Sequence, residues 1–276
     1  MRKLENFISV KPHFKLQKYV DSYYFHMNTD PKNKSKFTYY PNIKHAVTIY
    51  QDSIGKTDNN KTIVRPKNGV FSAHYSTVKT EPHQVEIQGE FRKIGIIFQP
   101  YGLNHFIQRN IKDFHFQTIS NFCEWDSSFQ ELSKKIWRMK NIDSRVTLLD
   151  SFLIEKKTQN PNEEFQEMID WIIYSEDIYS LQDIAQKYNL NRKKIYRLFL
   201  KELNCTPTVF FKILRFRRSL DNYLKNQSSN LTEASIAQFY DQSNFIKTVK
   251  QITSVTPKKL TKELSDLDNS IFWKIY

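Results

Sequence analysis

Two hydrophobic patterns divide the chain, and the change falls near residue 160. Before it, short runs of β-branched and aromatic residues stand between clusters of Gly, Pro, Asn and Asp, for example at 45–50, 69–75, 84–88 and 93–98. Such runs bounded by turn formers predict β-strands. Residues 127–157 instead carry apolar side chains at helical spacing. The first half is therefore predicted to be a β barrel or sandwich with flanking helices.

A polar segment that contains an Asn-Pro step, 156–162, interrupts both patterns and is the predicted linker. Beyond it the pattern is helical almost throughout, and it begins with an apolar stripe over 165–173 at spacings of three and four residues. The predicted fold class is α+β, with a mostly β domain at 1–157 and an all-α domain at 158–276.

The all-α half contains a pattern typical of a helix-turn-helix unit at about 180–202. Residues 180–183 resemble a capping box at the start of a short helix, with Asp183 where Glu or Gln is usual, and Asn191 is placed to cap the next helix. That second helix has one apolar face. Its other face carries polar and basic side chains: Arg192, Lys193, Tyr196, Arg197 and Lys201. Such a helix can enter the major groove of DNA.

The same plan returns at about 231–253. Residues 231–238 predict another short helix, 240–242 supply a turn and a cap, and 243–250 repeat the second helix with Phe245 and Val249 inward. Each unit is followed by Thr-Pro, and a long helix over about 208–225 separates the two as a spacer. One unit alone is also compatible with any helical hairpin that has a solvated basic face. The repetition favours two helix-turn-helix units.

Taken in order, these motifs resemble those of the AraC/XylS-type DNA-binding domain over residues 165–264. The matching stretches are Ile184-Ala185, 195–199, Thr206-Pro207, 214–218, 241–245 and Thr256-Pro257. The resemblance implies a sequence-specific transcription regulator that binds double-stranded DNA with two recognition helices in successive major-groove segments. RNA polymerase is a further partner that it implies.

Residue by residue, the base-facing positions of that family fall on Lys193, Tyr196 and Arg197 in the first unit. In the second unit they fall on Gln242, Ser243, Asn244 and Lys247. Basic side chains nearby predict four contacts to DNA phosphates: Arg192, Lys201, Arg215 and Lys250. No catalytic residue, metal ligand or cofactor is predicted.

The second unit departs from the family pattern more than the first. Gln238 stands where glycine is usual, Glu233 where an isoleucine precedes alanine, and Val249 where phenylalanine is usual. Before the two Thr-Pro steps, Asn204 and Ser254 replace glycines, and serine tolerates a left-handed backbone less well than asparagine. The second unit is therefore predicted to be distorted or to bind DNA more weakly.

The first half resembles, over shorter motifs at 12–20, Tyr40-Pro41 and 95–103, the cupin-like N-terminal domain of a subset of these regulators. That resemblance implies a regulatory domain that binds a small-molecule effector or forms a homodimer. Aromatic clusters such as 23–25 fit the lining of a ligand cavity, but core packing is the commoner use of such residues.

All seven histidines lie in this half, and they keep one alternative open. This is a cupin-type metal-dependent enzyme fused to a helical nucleic-acid-binding module. The histidines have no His-x-His or His-x-x-x-His spacing, and the pair of His83 and Glu86 is common by chance. Scattered surface or half-buried histidines are the favoured interpretation, and the chain is predicted not to be an enzyme.

The formal net charge of +13 suits a nucleic-acid partner, and residues 187–225 carry eleven basic side chains against two acidic ones. The two cysteines, Cys123 and Cys205, match no metal or disulfide pattern, as expected in a reducing cytoplasm. Neither a signal peptide nor a run of about 18 apolar residues is visible. A cytoplasmic protein without a membrane partner is expected.

Overall fold

The computed structural model describes residues 6–78, 80–114, 119–158, 161–175, 180–225, 231–235, 238–239, 241–263 and 273–275. Its first half is a curled β-sheet. The strands β1 to β8 are Phe7–Val10, Val20–Asn28, Lys34–Tyr39, His45–Asp58, Lys61–Ser76, His83–Gln88, Phe91–Phe98 and Ile119–Asn121. The predicted fold class, a β domain followed by an all-α domain, is confirmed.

Neighbouring strands follow the order β1-β2-β7-β4-β5-β6-β3, and β8 pairs with β5 beside this path. Every pairing among them is antiparallel except that of β5 with β6. Because side chains alternate along a strand, β4 contributes to two cores. Ile49 joins the larger core beneath the helices, and Tyr50 joins a smaller one that includes Phe37 and Phe91.

The four runs predicted as strands lie in β4, β5, β6 and β7, although β4 and β5 are much longer than their runs. The pattern missed β2 because its first seven residues are all buried, so no alternation of polar and apolar positions marks it. The helices expected over 127–157 are α1, Asp126–Arg138, and α2, Ile142–Lys156. They cover the larger core with Phe129 and Phe152.

Seven further helices follow within the described residues: α3 to α9 are Glu163–Tyr174, Leu181–Lys187, Arg192–Leu203, Pro207–Lys225, Leu231–Ala234, Gln242–Thr253 and Pro257–Glu263. They enclose two separate cores. One contains Phe165 of α3 and Phe199 of α5, and the other contains Phe245 of α8 and Leu260 of α9. Because α6 contributes to both cores, it is the element that joins the two halves of the helical region.

The β domain packs directly on the helical region. Ile43, Val78 and Tyr101 join the first helical core, and Tyr40 joins the second. A short strand β9, Trp273–Ile275, pairs antiparallel with β3. Residues 273–275 therefore extend the sheet of the β domain. The predicted domain boundary between residues 157 and 158 did not anticipate this pairing. Among the described helices, none has the length and apolar character that a bilayer crossing requires.

Candidate nucleic-acid interface

The first helix-turn-helix unit consists of α4 and α5. The Asp183 N–H donates to Ser180 Oγ and the Ser180 N–H donates to the Asp183 carboxylate at 2.7 Å, so the predicted capping box is present. Asn191 opens α5, since its Oδ1 accepts from the Lys194 N–H at 2.8 Å. Phe199 is fully buried on one face of α5. The opposite face is therefore turned to solvent.

The second unit has an equally well capped recognition helix but a shorter partner helix. Asp241 Oδ1 accepts from the Asn244 N–H at 2.7 Å at the start of α8, and Phe245 and Val249 are fully buried, as predicted. The helix predicted at 231–238 was too long, because α7 ends at Ala234. Residues 236, 237 and 240 lie outside the described residues.

A side-chain contact accounts for the early end of α7. The Ser235 hydroxyl donates to the Thr232 carbonyl at 2.6 Å, and its backbone N–H donates to the same carbonyl at 3.2 Å. Serine side chains that bond nearby carbonyls compete with the regular helical pairing. The second unit therefore departs from the first in its supporting helix rather than in its recognition helix.

Both recognition helices end on a residue with a left-handed backbone. Asn204 follows α5 with a φ of 52°, and Ser254 follows α8 with a φ of 62°. These are the two positions where the sequence replaces the glycines of the family pattern. The left-handed cap is kept at both, with a less suitable residue at Ser254.

Helix α6 is the rigid spacer between the units. Its 19 residues span about 28 Å at about 1.5 Å per residue, close to one turn of DNA at about 34 Å. Arg218 donates to the carbonyls of Ile172, Ile173 and Ser175 at the end of α3, at 2.7–3.0 Å. Six residues earlier on α6, Lys212 donates to Gln251 of α8. The spacer is thus fixed to α3 and to the second unit.

All seven predicted base-facing residues are exposed. Lys193, Tyr196 and Arg197 share the solvent face of α5. Gln242, Ser243 and Asn244 form the first turn of α8, and Lys247 follows one turn later. The fold brings each set onto one helix face, and contact with DNA bases stays a prediction.

The four predicted phosphate contacts differ in their surroundings. Arg192 is exposed and hydrogen-bonds Gln182 of α4, and Lys250 is exposed in the last turn of α8. Lys201 forms an ion pair with Glu202 at 3.0 Å. Arg215 is half-buried, and burial lowers the pKa of its guanidinium. Arg215 is therefore the least available of the four to DNA.

Sequence reasoning missed two features of the first unit. Leu200 is exposed on α5 one turn beyond Tyr196, an apolar side chain on an otherwise polar face. Its spacing from Tyr196 was the available signal. The second feature is a domain contact: the Asn104 amide donates to the Glu202 carbonyl at 3.0 Å and to its carboxylate at 3.2 Å. This contact anchors α5 on the β domain.

The histidines are not a surface set, so the expectation of surface or half-buried side chains is wrong for five of them. These five are buried: His26, His45, His74, His83 and His105. Burial lowers the pKa of His45 to about 3 and that of His74 to about 4. His115 lies outside the described residues. Within the described part, no three His, Cys, Asp or Glu side chains group to hold a metal ion.

Two protein families match separate parts of the chain. Residues 184–263 match a family described as helix-turn-helix domain, and residues 8–120 match a domain of unknown function, DUF6597. An uncharacterized HTH-type transcriptional regulator of Bacillus subtilis (strain 168), YdeC, is 32% identical over 99 residues. That match covers 35% of this chain, and the chain spans about a third, 34%, of the relative's length.

Among solved structures, one of ToxT from Vibrio cholerae aligns with this chain at 11% identity and a TM-score of 0.47, and the alignment covers 85% of this chain and 97% of the ToxT chain. A structure of ToxT with a bound unsaturated fatty acid aligns at 12% identity and a TM-score of 0.46, and covers 94% of this chain and 96% of the ToxT chain. The family match at 184–263 confirms the resemblance found in the sequence. The chain therefore carries a helix-turn-helix domain of the AraC type behind an N-terminal domain that matches a different family.

Proposed function

We propose that the chain is a sequence-specific, DNA-binding transcription regulator of the AraC/XylS type that acts in the cytoplasm. The observation that carries this proposal is the pair of capped recognition helices, α5 and α8, joined by one rigid helix and open to solvent on their polar faces. A helix of this kind fits a major groove about 12 Å wide. Two of them, about one turn of DNA apart, read a longer and asymmetric site.

The side chains on the two helices suit different bases. Arginine and lysine bind guanine edges best, which assigns Lys193 and Arg197 to guanines, and asparagine binds adenine, which assigns Asn244 to adenine. Tyr196 and Leu200 together offer apolar contact to thymine methyl groups. The first unit would then read a mixed guanine and thymine segment, and the second an adenine-containing one.

Phosphate contacts supply affinity without sequence preference. Arg192 and Lys201 lie on α5 and Lys250 lies on α8, the two helices with the proposed base-reading faces, and Arg215 lies on the spacer. Log affinity falls as log salt rises, and each neutralised phosphate makes that slope steeper by about 0.9 for duplex DNA. Removing one of these lysines should weaken binding to all sequences alike and flatten that slope by about one unit.

Three further partners belong to this proposal. They are a small-molecule effector at the N-terminal domain, RNA polymerase, and a second copy of the chain. A cavity lined by residues of the β domain and by Arg217 of α6 supports the effector. The resemblance to AraC/XylS-type regulators supports the other two. The alternative of a metal-dependent enzyme gains no support from the side chains of the described β domain.

The test is selection of bound duplexes from a random DNA library, followed by gel-shift titration of the selected site. Arg197→Ala and Lys247→Ala should each weaken binding by about 1–3 kcal/mol and relax the preference at one base position. Lys194→Ala is the matched control, because Lys194 is exposed on α5 but outside the base-facing set. If both variants bind the selected site like the parent, the assignment of the recognition helices is wrong.

A further inference from the structure

A second cavity, of about 330 Å³, lies between the β-sheet and helix α1, and we call it the outer cavity. Residues of β4 and β5 form one wall, and residues 122–123 with the start of α1 form the other. The cavity opens to solvent, because Cys123 is exposed whereas Phe122 and Phe129 beside it are buried. Pockets that bind drug-sized molecules measure about 300–1,000 Å³, so this space suits a molecule of about two fused rings.

The outer cavity is separate from the cavity that Arg217 lines, which we call the junction cavity. Ile49 of β4 lines the outer cavity, and its neighbour Tyr50 lines the junction cavity. Because successive side chains of a strand point to opposite faces, the two cavities lie on opposite faces of β4. Gly55 lines the outer cavity, and a Cβ atom on it would lie 2.5 Å from Nε2 of His74, which lines the junction cavity. A single layer of sheet therefore divides the two cavities.

The walls of the outer cavity are apolar and uncharged. Their apolar side chains include Ile49, Ile54, Phe71, Ala73, Phe122 and Phe129. None of the described residues that line the cavity is Asp, Glu, Lys, Arg or His. Lys134 lies nearby, with its ammonium 5.5 Å from the centre of the Phe71 ring, but it is paired with Glu131 at 2.6 Å. A charged ligand would lose hydration here without gaining an unpaired opposite charge, so the walls favour an uncharged molecule.

Three polar side chains of the described residues line the outer cavity: Ser72, Cys123 and Gln130. Ser72 serves the sheet, because its hydroxyl donates to the Ser53 carbonyl at 3.1 Å and accepts from the Gly55 N–H at 3.2 Å. The Cys123 thiol is a weak donor. Gln130 is half-buried on α1, and its amide offers both a donor and an acceptor. The Gln130 amide is therefore the group best suited to orient a ligand by hydrogen bonds.

We propose that the outer cavity binds an uncharged molecule of two fused rings that carries one amide or hydroxyl group. The rings pack between the sheet and Phe129, and the polar group pairs with the Gln130 amide near the opening. A molecule bound in this way covers the Cys123 thiol. The outer cavity shares no lining residue with the junction cavity and uses none of the recognition helices. Its occupancy therefore does not depend on the proposed regulator function.

The test compares 1-naphthamide with 1-naphthoate, which has the same rings and a negative charge, by calorimetric titration of the full chain without DNA. Naphthamide should bind at one site per chain, and naphthoate should bind at least tenfold more weakly. Alkylation by iodoacetamide, followed by intact mass, reports on the cavity itself. Bound naphthamide should slow the modification of Cys123 at least fivefold, and Cys205 is buried and should not react in the folded protein.

Three variants locate the bound molecule. Ala73→Leu should abolish naphthamide binding, because Ala73 lines the outer cavity and the larger side chain takes up its space. Ala46→Leu is the matched control, since Ala46 lies on β4 but lines the junction cavity, and it should bind naphthamide like the parent. Gln130→Leu keeps the size of the side chain and removes the amide, so it should weaken naphthamide binding about fivefold.

Several results would overturn the proposal. They are the absence of saturable naphthamide binding at millimolar concentration, equal or tighter binding of naphthoate, unchanged alkylation of Cys123 in the presence of naphthamide, or unchanged binding by folded Ala73→Leu protein. Loss of binding in Ala46→Leu alone would assign the molecule to the junction cavity instead. Circular dichroism identifies any variant that fails to fold, and the naphthoate comparison and the protection of Cys123 in the parent then decide. A chain that binds naphthamide but no selected DNA would refute the regulator and support the outer cavity.

Discussion

The two helix-turn-helix units present the same kind of recognition helix on unequal supports. Helices α5 and α8 have twelve residues each, a side-chain cap at the start and a left-handed residue at the end. The core around α5 draws on α3, α4, α6 and three side chains of the β domain. The core around α8 draws on α6, α9, a four-residue α7 and, from the described β domain, Tyr40.

The second unit was predicted to bind DNA more weakly. The two units differ in the cores that hold their recognition helices, so we attribute this predicted difference to those cores and not to the exposed face of α8. Gln238, at the position where the family has glycine, is buried, and its Oε1 has no hydrogen-bond partner among the described residues. An unsatisfied buried acceptor costs about 1–3 kcal/mol. We therefore expect the first unit to hold its shape without DNA and to dominate affinity, with the second unit less stable on its own.

The largest expected effect on stability comes from removing one aromatic ring from the core of each unit. Phe199 meets the rings of Phe165, Phe210 and Phe211 at 5.4–6.1 Å, whereas Phe245 meets Phe239 at 5.1 Å. Each truncation to alanine should lower the free energy of unfolding by about 3–5 kcal/mol, with Phe199→Ala at the upper end. Urea denaturation measures the loss, and amide hydrogen exchange locates it. Equal losses would show that the two supports are equivalent.

A smaller effect on stability should follow from removing the hydrogen bonds that join the first unit to the β domain. Asn104→Ala leaves the buried Glu202 carbonyl and carboxylate without their amide donor, at a cost of about 1–3 kcal/mol. Amide exchange should accelerate in α5 and stay unchanged in α8. Lys201→Ala is the matched control, since it removes only a half-exposed ion pair to the same Glu202, worth about 0–1 kcal/mol. Faster exchange in both helices would mean that this contact does not belong to the first unit alone.

Local signals explain why the recognition helices were predictable. Ser180, Asn191 and Asp241 each cap a helix through a bond to a residue three positions on, so a short window of sequence contains the whole interaction. The proposed reading faces follow from the same helical spacing. The fold class was equally accessible, because most strands carry turn formers at both ends.

Long-range contacts explain what the sequence did not predict. Arg217 stands in a basic run on the spacer, yet its guanidinium bonds Pro41, 176 positions away, and is buried in the β domain. Lys93 likewise begins a predicted strand, and the fold encloses its ammonium among four aromatic rings, where burial lowers its pKa to about 7. The domain junction and its cavity therefore could not be predicted from the sequence, because they depend on how distant strands and helices come together and no local pattern encodes this.

The smallest expected effect distinguishes the two units at their left-handed caps, where only the second unit should gain stability from glycine. A left-handed backbone at a residue with a side chain costs roughly 1–2 kcal/mol, which a substitution to glycine removes. Glycine is also more flexible in the unfolded chain, and this opposes the gain by roughly 0.5–1 kcal/mol. Asparagine tolerates the conformation better than serine. Ser254→Gly should therefore stabilise the protein by about 0.5–1 kcal/mol, and Asn204→Gly should change its stability by about zero. Thermal unfolding of the two variants, with Ser254→Ala as a control that keeps the Cβ, measures the difference. If the second unit is the less stable one, as predicted, Ser254→Gly should also tighten binding to the selected DNA site. An equal gain in stability from Asn204→Gly would show that the left-handed caps of both units are strained. The caps would then give no reason to expect the second unit to be the less stable one.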